Sequence, residues 1–267
     1  MPLPRVRLFE FNDSSWAPAS LREFIMESVT RSLDWGRSLA GLVAPFQEFI
    51  ATSGAREVLD LGAGVGGPAR SLTRAIRRAG RVPPRFVLTD INPSPSAWQA
   101  LVAEYPDDIT FEPEPVDATQ IPPSVAKGRA RIIMNALHHF PPDFARQLFA
   151  DAVATSSGIF VAEPFERNPL RLMPLMGTTL LSFLATPFIT RRARIPKALW
   201  ILSTLGPMAA LWDGVVSSLR VYDEAELRAM VAPLGDRFTW TYGIHRHGLG
   251  GRGYYFCGVP RNATRSG

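Results

Sequence analysis

The sequence predicts an α/β fold built on a mostly parallel sheet with helices on both faces. Three observations carry this expectation. From Glu57 to Glu163 short apolar runs alternate with amphipathic segments at the spacing of βαβ units. The first run enters a glycine-rich turn and then a helix, in Val58-Leu-Asp-Leu-Gly-Ala-Gly-Val-Gly-Gly67. The chain finishes in two extended runs joined by Gly248-Leu-Gly-Gly251, which reads as an antiparallel hairpin at the end of the sheet.

In chain order, residues 1–54 read as an N-terminal helical lid. Val29, Leu33, Leu39, Leu42, Val43, Phe46, Phe49 and Ile50 recur at helical spacing, giving helices at about 18–34 and 37–51. Residues 55–163 form the core unit. Its strands read at Glu57–Leu61, Arg85–Asp90, Ile109–Glu112, Ala130–Asn135 and Gly158–Glu163, with helices at about 67–79, 95–104 and 142–154 between them. Residues 222–267 end the core. Asp223-Glu-Ala-Glu226 is a capping box opening a helix to about Leu234, and Arg237–His245 and Gly253–Val259 supply strands six and seven.

Residues 164–221 are too long for a simple connection. Leu172–Thr190 and Ala198–Trp212 hold no charged residue, and Arg191, Arg192, Arg194 and Lys197 separate them. The first run approaches transmembrane length. Pro174, Gly177, Pro187 and several Ser and Thr weaken that reading. An apolar helical insert capping a substrate pocket is expected, with contact to a membrane surface as the alternative.

Composition excludes several classes. The 267 residues are 46% hydrophobic, too apolar for a disordered chain. A single cysteine, Cys257, excludes an internal disulfide and a Cys-based zinc site; it reads as an apolar filler in the last strand. The histidines fall in two pairs, His138/His139 and His245/His247, without metal-ligand spacing, so no metal site is expected. The net charge of +5 is almost wholly arginine, since only Lys127 and Lys197 are lysines. The arginines are scattered rather than interleaved with aromatics, and no nucleic-acid partner is expected. Met1 to Glu10 carries Pro2, Pro4, Arg5 and Arg7 and lacks the apolar run of a secretory signal, so a cytoplasmic location is expected.

The glycine turn carries the chemistry. Gly62, Gly64 and Gly67 satisfy G-x-G-x-x-G, a weak signal for dinucleotides on its own. Asp60, two residues before Gly62, discriminates. A carboxylate at the mouth of the turn repels a pyrophosphate and suits a ligand bearing an ammonium group. With Asp-x-Gly-x-Gly-x-Gly across 60–66, the sequence resembles class I methyltransferases that use S-adenosylmethionine (SAM). The resemblance covers 55–163 and, in topology, 222–260; residues 164–221 depart from it. It implies a Rossmann-like seven-stranded sheet with SAM as cofactor and S-adenosylhomocysteine (SAH) as product. It places Asp60, Gly62, Ala63 and Gly64 at the methionine moiety. Asp90, with Ile91 beside it, would accept the ribose hydroxyls, Asp117 and Ala118 would meet the adenine, and Asn135 would lie along the cofactor.

Residues after the fourth strand narrow the class. Asn135-Ala-Leu-His-His-Phe140 lacks the Pro-Pro-aromatic element of nucleic-acid amino methyltransferases, and Cys257 is misplaced for a cytosine C5 nucleophile. A small apolar acceptor, aromatic or indole-like, is expected. The opening Glu10/Asn12/Asp13…Trp16-x-Pro18, the insert and Asp213…Arg220-x-Tyr222 loosely resemble bacterial natural-product enzymes that methylate indole carbon 3. Transfer to nitrogen or oxygen, a SAM-binding protein docking to a membrane or partner, and a nicotinamide-dependent dehydrogenase are the alternatives. His138 is the first candidate for a general base near neutral pH. Glu163, ending the fifth strand, and Tyr222 join it as candidate catalytic residues. His139, His245, His247 and Asp213 read as structural.

Overall fold

The computed structural model describes residues 3–189 and 194–261. In chain order the elements are α1 (Ala19–Trp35), α2 (Val43–Ser53), β1 (Glu57–Leu61), α3 (Gly67–Arg78), β2 (Arg85–Thr89), α4 (Pro95–Glu104) and β3 (Ile109–Phe111). There follow α5 (Pro123–Ala126), β4 (Ala130–Met134), α6 (Pro142–Thr155), β5 (Ile159–Glu163) and α7 (Met173–Ile189). The last elements are α8 (Arg194–Leu202), α9 (Leu205–Arg220), α10 (Glu224–Val231), β6 (Phe238–Arg246) and β7 (Arg252–Pro260). The helix expected over 37–51 starts later, at Val43, because a short 3₁₀ turn, Ala40–Leu42, precedes it. The capping box at Asp223 and Glu226 is formed in both directions.

Two compact units divide the chain. One comprises Ala40–Glu163, Asp223–His245 and Tyr254–Gly267. It holds the seven-stranded sheet in the order β3-β2-β1-β4-β5-β7-β6, with β1 to β5 parallel and β7 antiparallel to β5. The inner strands β4 and β5 are buried along their whole length, which explains why they read as mainly apolar runs, Arg131 and Glu163 being the exceptions. Helices cover both faces. Phe46 and Phe49 of α2 pack on Phe160 of β5, and Phe46 also stacks on Phe86 of β2. Phe149 of α6 packs edge-on against Trp240 and Phe256. Phe256 pairs with Val161, one residue out of phase with Phe160, so these two aromatic clusters lie on opposite faces.

One polar group crosses this core. The Arg131 guanidinium of β4 is buried and meets the Asp151 carboxylate and the Thr155 hydroxyl of α6. Burial pulls its pKa down, and Asp151 opposes that shift.

The other unit comprises Met1–Leu39, Pro164–Tyr222 and Arg246–Gly253, and is mainly helical. Residues of the opening motif bind those that follow the insert. The buried Asp213 carboxylate accepts the backbone N–H of Phe11 (2.7 Å) and Asn12 (2.9 Å). Arg220 pairs with Glu10 at 3.0 Å and Asp13 at 2.9 Å. Burial raises the Asp213 pKa and the two N–H donors partly reverse that. These spaced residues therefore clasp the N-terminal segment to α9. The apolar runs of the insert were expected to be buried, yet many of their large side chains are exposed, among them Leu180, Leu184, Leu202 and Met208.

Removing Asp151 leaves a buried guanidinium without its carboxylate. Asp151→Ala is expected to destabilise the sheet unit by about 3 kcal/mol. Urea denaturation checks this, and a loss below about 1 kcal/mol would show that the pair contributes little.

Candidate cofactor and active site

The site lies in the sheet unit, at the carboxyl ends of β1, β2, β4 and β5. Between β1 and α3 the backbone takes positive φ at Gly62 (71°), Gly64 (55°) and Gly66 (80°). That left-handed conformation is where glycine is favoured. The glycines are not equivalent. A Cβ on Gly66 would sit 2.4 Å from Leu101 Cδ1, so this glycine allows close packing of α4. A Cβ on Gly64 would meet no heavy atom within 4 Å, which leaves the turn open on that side.

Hydrogen bonds fix the turn. The Ala63 N–H donates to the Thr89 carbonyl (3.0 Å), and the Thr89 hydroxyl donates to the Asp60 carbonyl (2.8 Å). Asp90 accepts the Gly64 N–H on one carboxylate oxygen (2.9 Å) and the Asn92 N–H on the other (2.8 Å). Trp98, fully buried on α4, donates its indole N–H to the Gly64 carbonyl (2.9 Å). The sequence reading passed over Trp98, which stands as an ordinary apolar residue in a helix. Its pairing to the turn is legible only once α4 is placed.

Asp60 is the anomaly. It ends almost fully buried in β1, and its Oδ2 has no hydrogen-bond partner among the described residues. Burial raises its pKa well above the usual carboxylate range, and the nearby Asp90 charge adds to the shift. An orphaned acceptor of this kind costs stability and calls for a partner that the described residues do not supply. A ligand ammonium fits the need. With the open space above Gly64 and the Asp90 carboxylate, the residues present fit SAM.

The remaining cofactor candidates fall into place unevenly. Ile91 is exposed directly after Asp90. The Asp117 carboxylate is occupied locally, accepting the N–H (2.8 Å) and hydroxyl (2.7 Å) of Thr119, while Ala118 is buried behind it. Asn135 takes a positive φ of 55° and donates its N–H to the Ala162 carbonyl (2.8 Å). A strained non-glycine residue at a strand end often marks a site.

His138 and Glu163 form a buried pair. His138 sits in a 3₁₀ turn, Leu137–His139, after β4. One Glu163 carboxylate oxygen accepts the His138 backbone N–H (3.1 Å) and the other contacts Nδ1 (2.9 Å). A carboxylate can only accept, so the proton sits on Nδ1 and the basic lone pair on Nε2. The rings of His138 and His139 lie 4.2 Å apart. His245 also joins this edge, because its Nε2–H donates to the Glu163 carbonyl (3.1 Å). Sequence spacing hid that contact, since 82 residues separate the two. Tyr222 belongs to the helical unit, where it is buried with the Arg5 guanidinium 4.0 Å over its ring. Cys257 in β7 is partly buried, and its thiol is pushed up to about 12 by burial and Glu48, so it is inert as a nucleophile.

No protein-family model and no curated protein matches the sequence. Solved structures do resemble it. The plantazolicin methyltransferase BpumL in complex with SAH aligns over 94% of both chains at 10% identity, with a TM-score of 0.55. A candidate O-methyltransferase from Nostoc punctiforme PCC 73102 aligns over 96% of this chain and 64% of its own at 14% identity, with a TM-score of 0.51. Likeness at this level speaks to architecture alone: the chain shares the Rossmann-like fold of these two structures.

Proposed function

We propose that the protein is a SAM-dependent methyltransferase acting on a small apolar metabolite. The observation that carries this reading is the buried, unpartnered Asp60 oxygen beside an open glycine turn. A pyrophosphate would meet two carboxylates there, Asp60 and Asp90, which argues against a dinucleotide. Asp60 and the turn would hold the methionine moiety, Asp90 the ribose, Ala118 the adenine side and Asn135 the adjacent edge. Bound SAM supplies the methyl group on a sulfonium.

What the chain adds is placement. Alignment of two bound reactants contributes on the order of 7–11 kcal/mol to such a reaction. Where the acceptor must lose a proton, His138 Nε2 is the base. Glu163 holds the imidazole in the required tautomer and stabilises its charged form, and His245 holds the Glu163 backbone. This assignment gives Glu163 a positioning role and Tyr222 a structural one under Arg5. For the acceptor we infer an aromatic, indole-like compound methylated at carbon. The support is the resemblance of the opening and insert segments to indole C3 enzymes. Transfer to nitrogen or oxygen uses the same scaffold.

Three outcomes are expected. Asp90→Ala and Gly64→Val should each weaken SAM binding at least about tenfold in calorimetry, the first by removing a charged acceptor and the second by filling the turn. Unchanged affinity in both would end the SAM assignment.

Asp60→Asn should separate stability from binding. Unfolded, Asp60 titrates near about 3.9. Folded, it keeps its proton to higher pH, so the folded chain binds more protons than the unfolded one across that window. Stability therefore falls as pH rises through it. The Asn variant should melt higher than the parent at neutral pH, lose this component of the pH dependence, and bind SAM more weakly. A lower melting temperature would contradict the account.

His138→Ala should lower turnover at saturating SAM by about 10²–10⁴-fold if the acceptor loses its proton in the transition state. His139→Ala should have a smaller effect. Glu163→Gln should shift the pH profile while sparing SAM affinity. A near-parental rate in His138→Ala would place the base elsewhere.

A further inference from the structure

The helices of the insert keep a small apolar core, with Phe183, Ala209 and Ala210 against Phe24 and Ile25 of α1, yet they also bury polar groups and leave most of their large aliphatic side chains outside. On α7, Thr178, Thr179, Ser182 and Thr186 face inward. The Ser32 hydroxyl of α1 lies 2.8 Å from both Thr178 Oγ1 and Thr179 Oγ1, the Ser182 hydroxyl donates to the Ser28 carbonyl (3.0 Å), and Arg31 donates to Thr186 (2.9 Å). Leu180, Leu181, Leu184 and Phe188 face outward, with Phe188 81% exposed. On α8, Lys197 is fully buried and pairs with Glu27 of α1 at 2.5 Å, while Ile195, Leu199 and Leu202 are exposed. On α9, Gly206, Ala209, Ala210 and Asp213 are buried, while Leu205, Met208 and Leu211 are exposed.

A helix that folds in water places its apolar stripe inward and its polar face outward. Three consecutive helices here depart from that, burying hydroxyls and charged groups beside a small apolar core and exposing most of their large aliphatic side chains. Small residues and hydroxyls between helices, with large aliphatic and aromatic side chains on the outside, is how helices pack in lipid. The exposed face also exceeds what single surface apolar residues explain. Charge points to the same environment. From Leu172 to Trp212 the sequence contains no Asp or Glu, and besides the buried, paired Lys197 it carries three cations, Arg191, Arg192 and Arg194. A surface bearing anionic headgroups attracts such a segment.

We propose that the α7–α8–α9 face seats in the headgroup and upper acyl region of an anionic lipid bilayer. The helices lie on the membrane rather than cross it. At 17 residues α7 is about 25 Å long, short of the hydrocarbon thickness of about 30 Å. Among the described residues no single helix is long and apolar enough to span, and the pair that would be long enough together, Ile195–Leu202 with Leu205–Arg220, is bent by 79°. The proposal does not depend on methyl transfer. It gives an apolar acceptor a source, since a lipid surface concentrates such compounds next to the helical unit.

The test is vesicle flotation of the full chain. Vesicles of phosphatidylcholine containing about one-third phosphatidylglycerol should carry the protein upward, and raised salt should weaken the effect. Pure phosphatidylcholine vesicles should carry less. Combined Leu181→Ser, Leu184→Ser and Phe188→Ser should cut partitioning at least about tenfold, as should Leu199→Ser with Leu202→Ser on α8. Each variant should keep the parental thermal transition, which reports folding independently of SAM. No flotation of the parent with either vesicle would overturn the proposal. So would a parent dimer in sedimentation that the α7 variant turns monomeric without any vesicle binding, because a second copy of the chain would then cover this face.

Discussion

The site depends on one carboxylate that the fold leaves unsatisfied. Asp60 is carried into the interior by β1, where neighbouring strands cover it and no donor among the described residues reaches its Oδ2. Its backbone carbonyl meanwhile takes the Thr89 hydroxyl, and the following turn is tied to β2 through Ala63 and Asp90. The chain therefore cannot swing Asp60 out to water without giving up the turn. Asp90 both fixes the turn and repels Asp60. Two carboxylates held around a glycine turn do not both ionise readily until a cation comes between them, which is the physical basis for the ligand preference.

Legibility in the sequence followed the strength of the local constraint. The five parallel strands were readable because burial on both faces favours short, mainly apolar runs, as in Ile132–Met134 and Ile159–Ala162. The turn was readable because left-handed backbone at Gly62 and Gly64 selects glycine. Asp90 was readable from its place at the end of β2. Contacts between distant segments were not readable. The Trp98 indole on the Gly64 carbonyl needs α4 placed against the turn. The His245 contact with Glu163 needs β6 brought to β5 across β7. The charge-free runs of the insert also misled, since they read as buried along their length. Alternating Leu and Thr along α7 gives two faces, and nothing local says that the hydroxyl face is the one facing α1.

Two buried carboxylates, one in each unit, differ in how their oxygens are answered. Asp213 and Asp60 are both buried carboxylates with raised pKa. Asp213 is answered by the N–H groups of Phe11 and Asn12, and its role ends in holding the N-terminal segment. Asp60 has an oxygen with no such answer. The two histidine pairs divide in a parallel way. His138 shares Glu163 with its own backbone, which orients its ring, whereas His247 donates to the Pro164 carbonyl within the helical unit.

The central claim is that Asp60 waits for a cationic ligand group, and proton linkage tests it most directly. SAM binding should be measured by calorimetry in buffers of different ionisation enthalpy, at several pH values between about 5 and 7. An arriving ammonium favours the ionised carboxylate, so binding by the parent should release a proton, with release vanishing in Asp60→Asn. Binding without proton release at any pH, or release that persists in the Asn variant, would contradict the account.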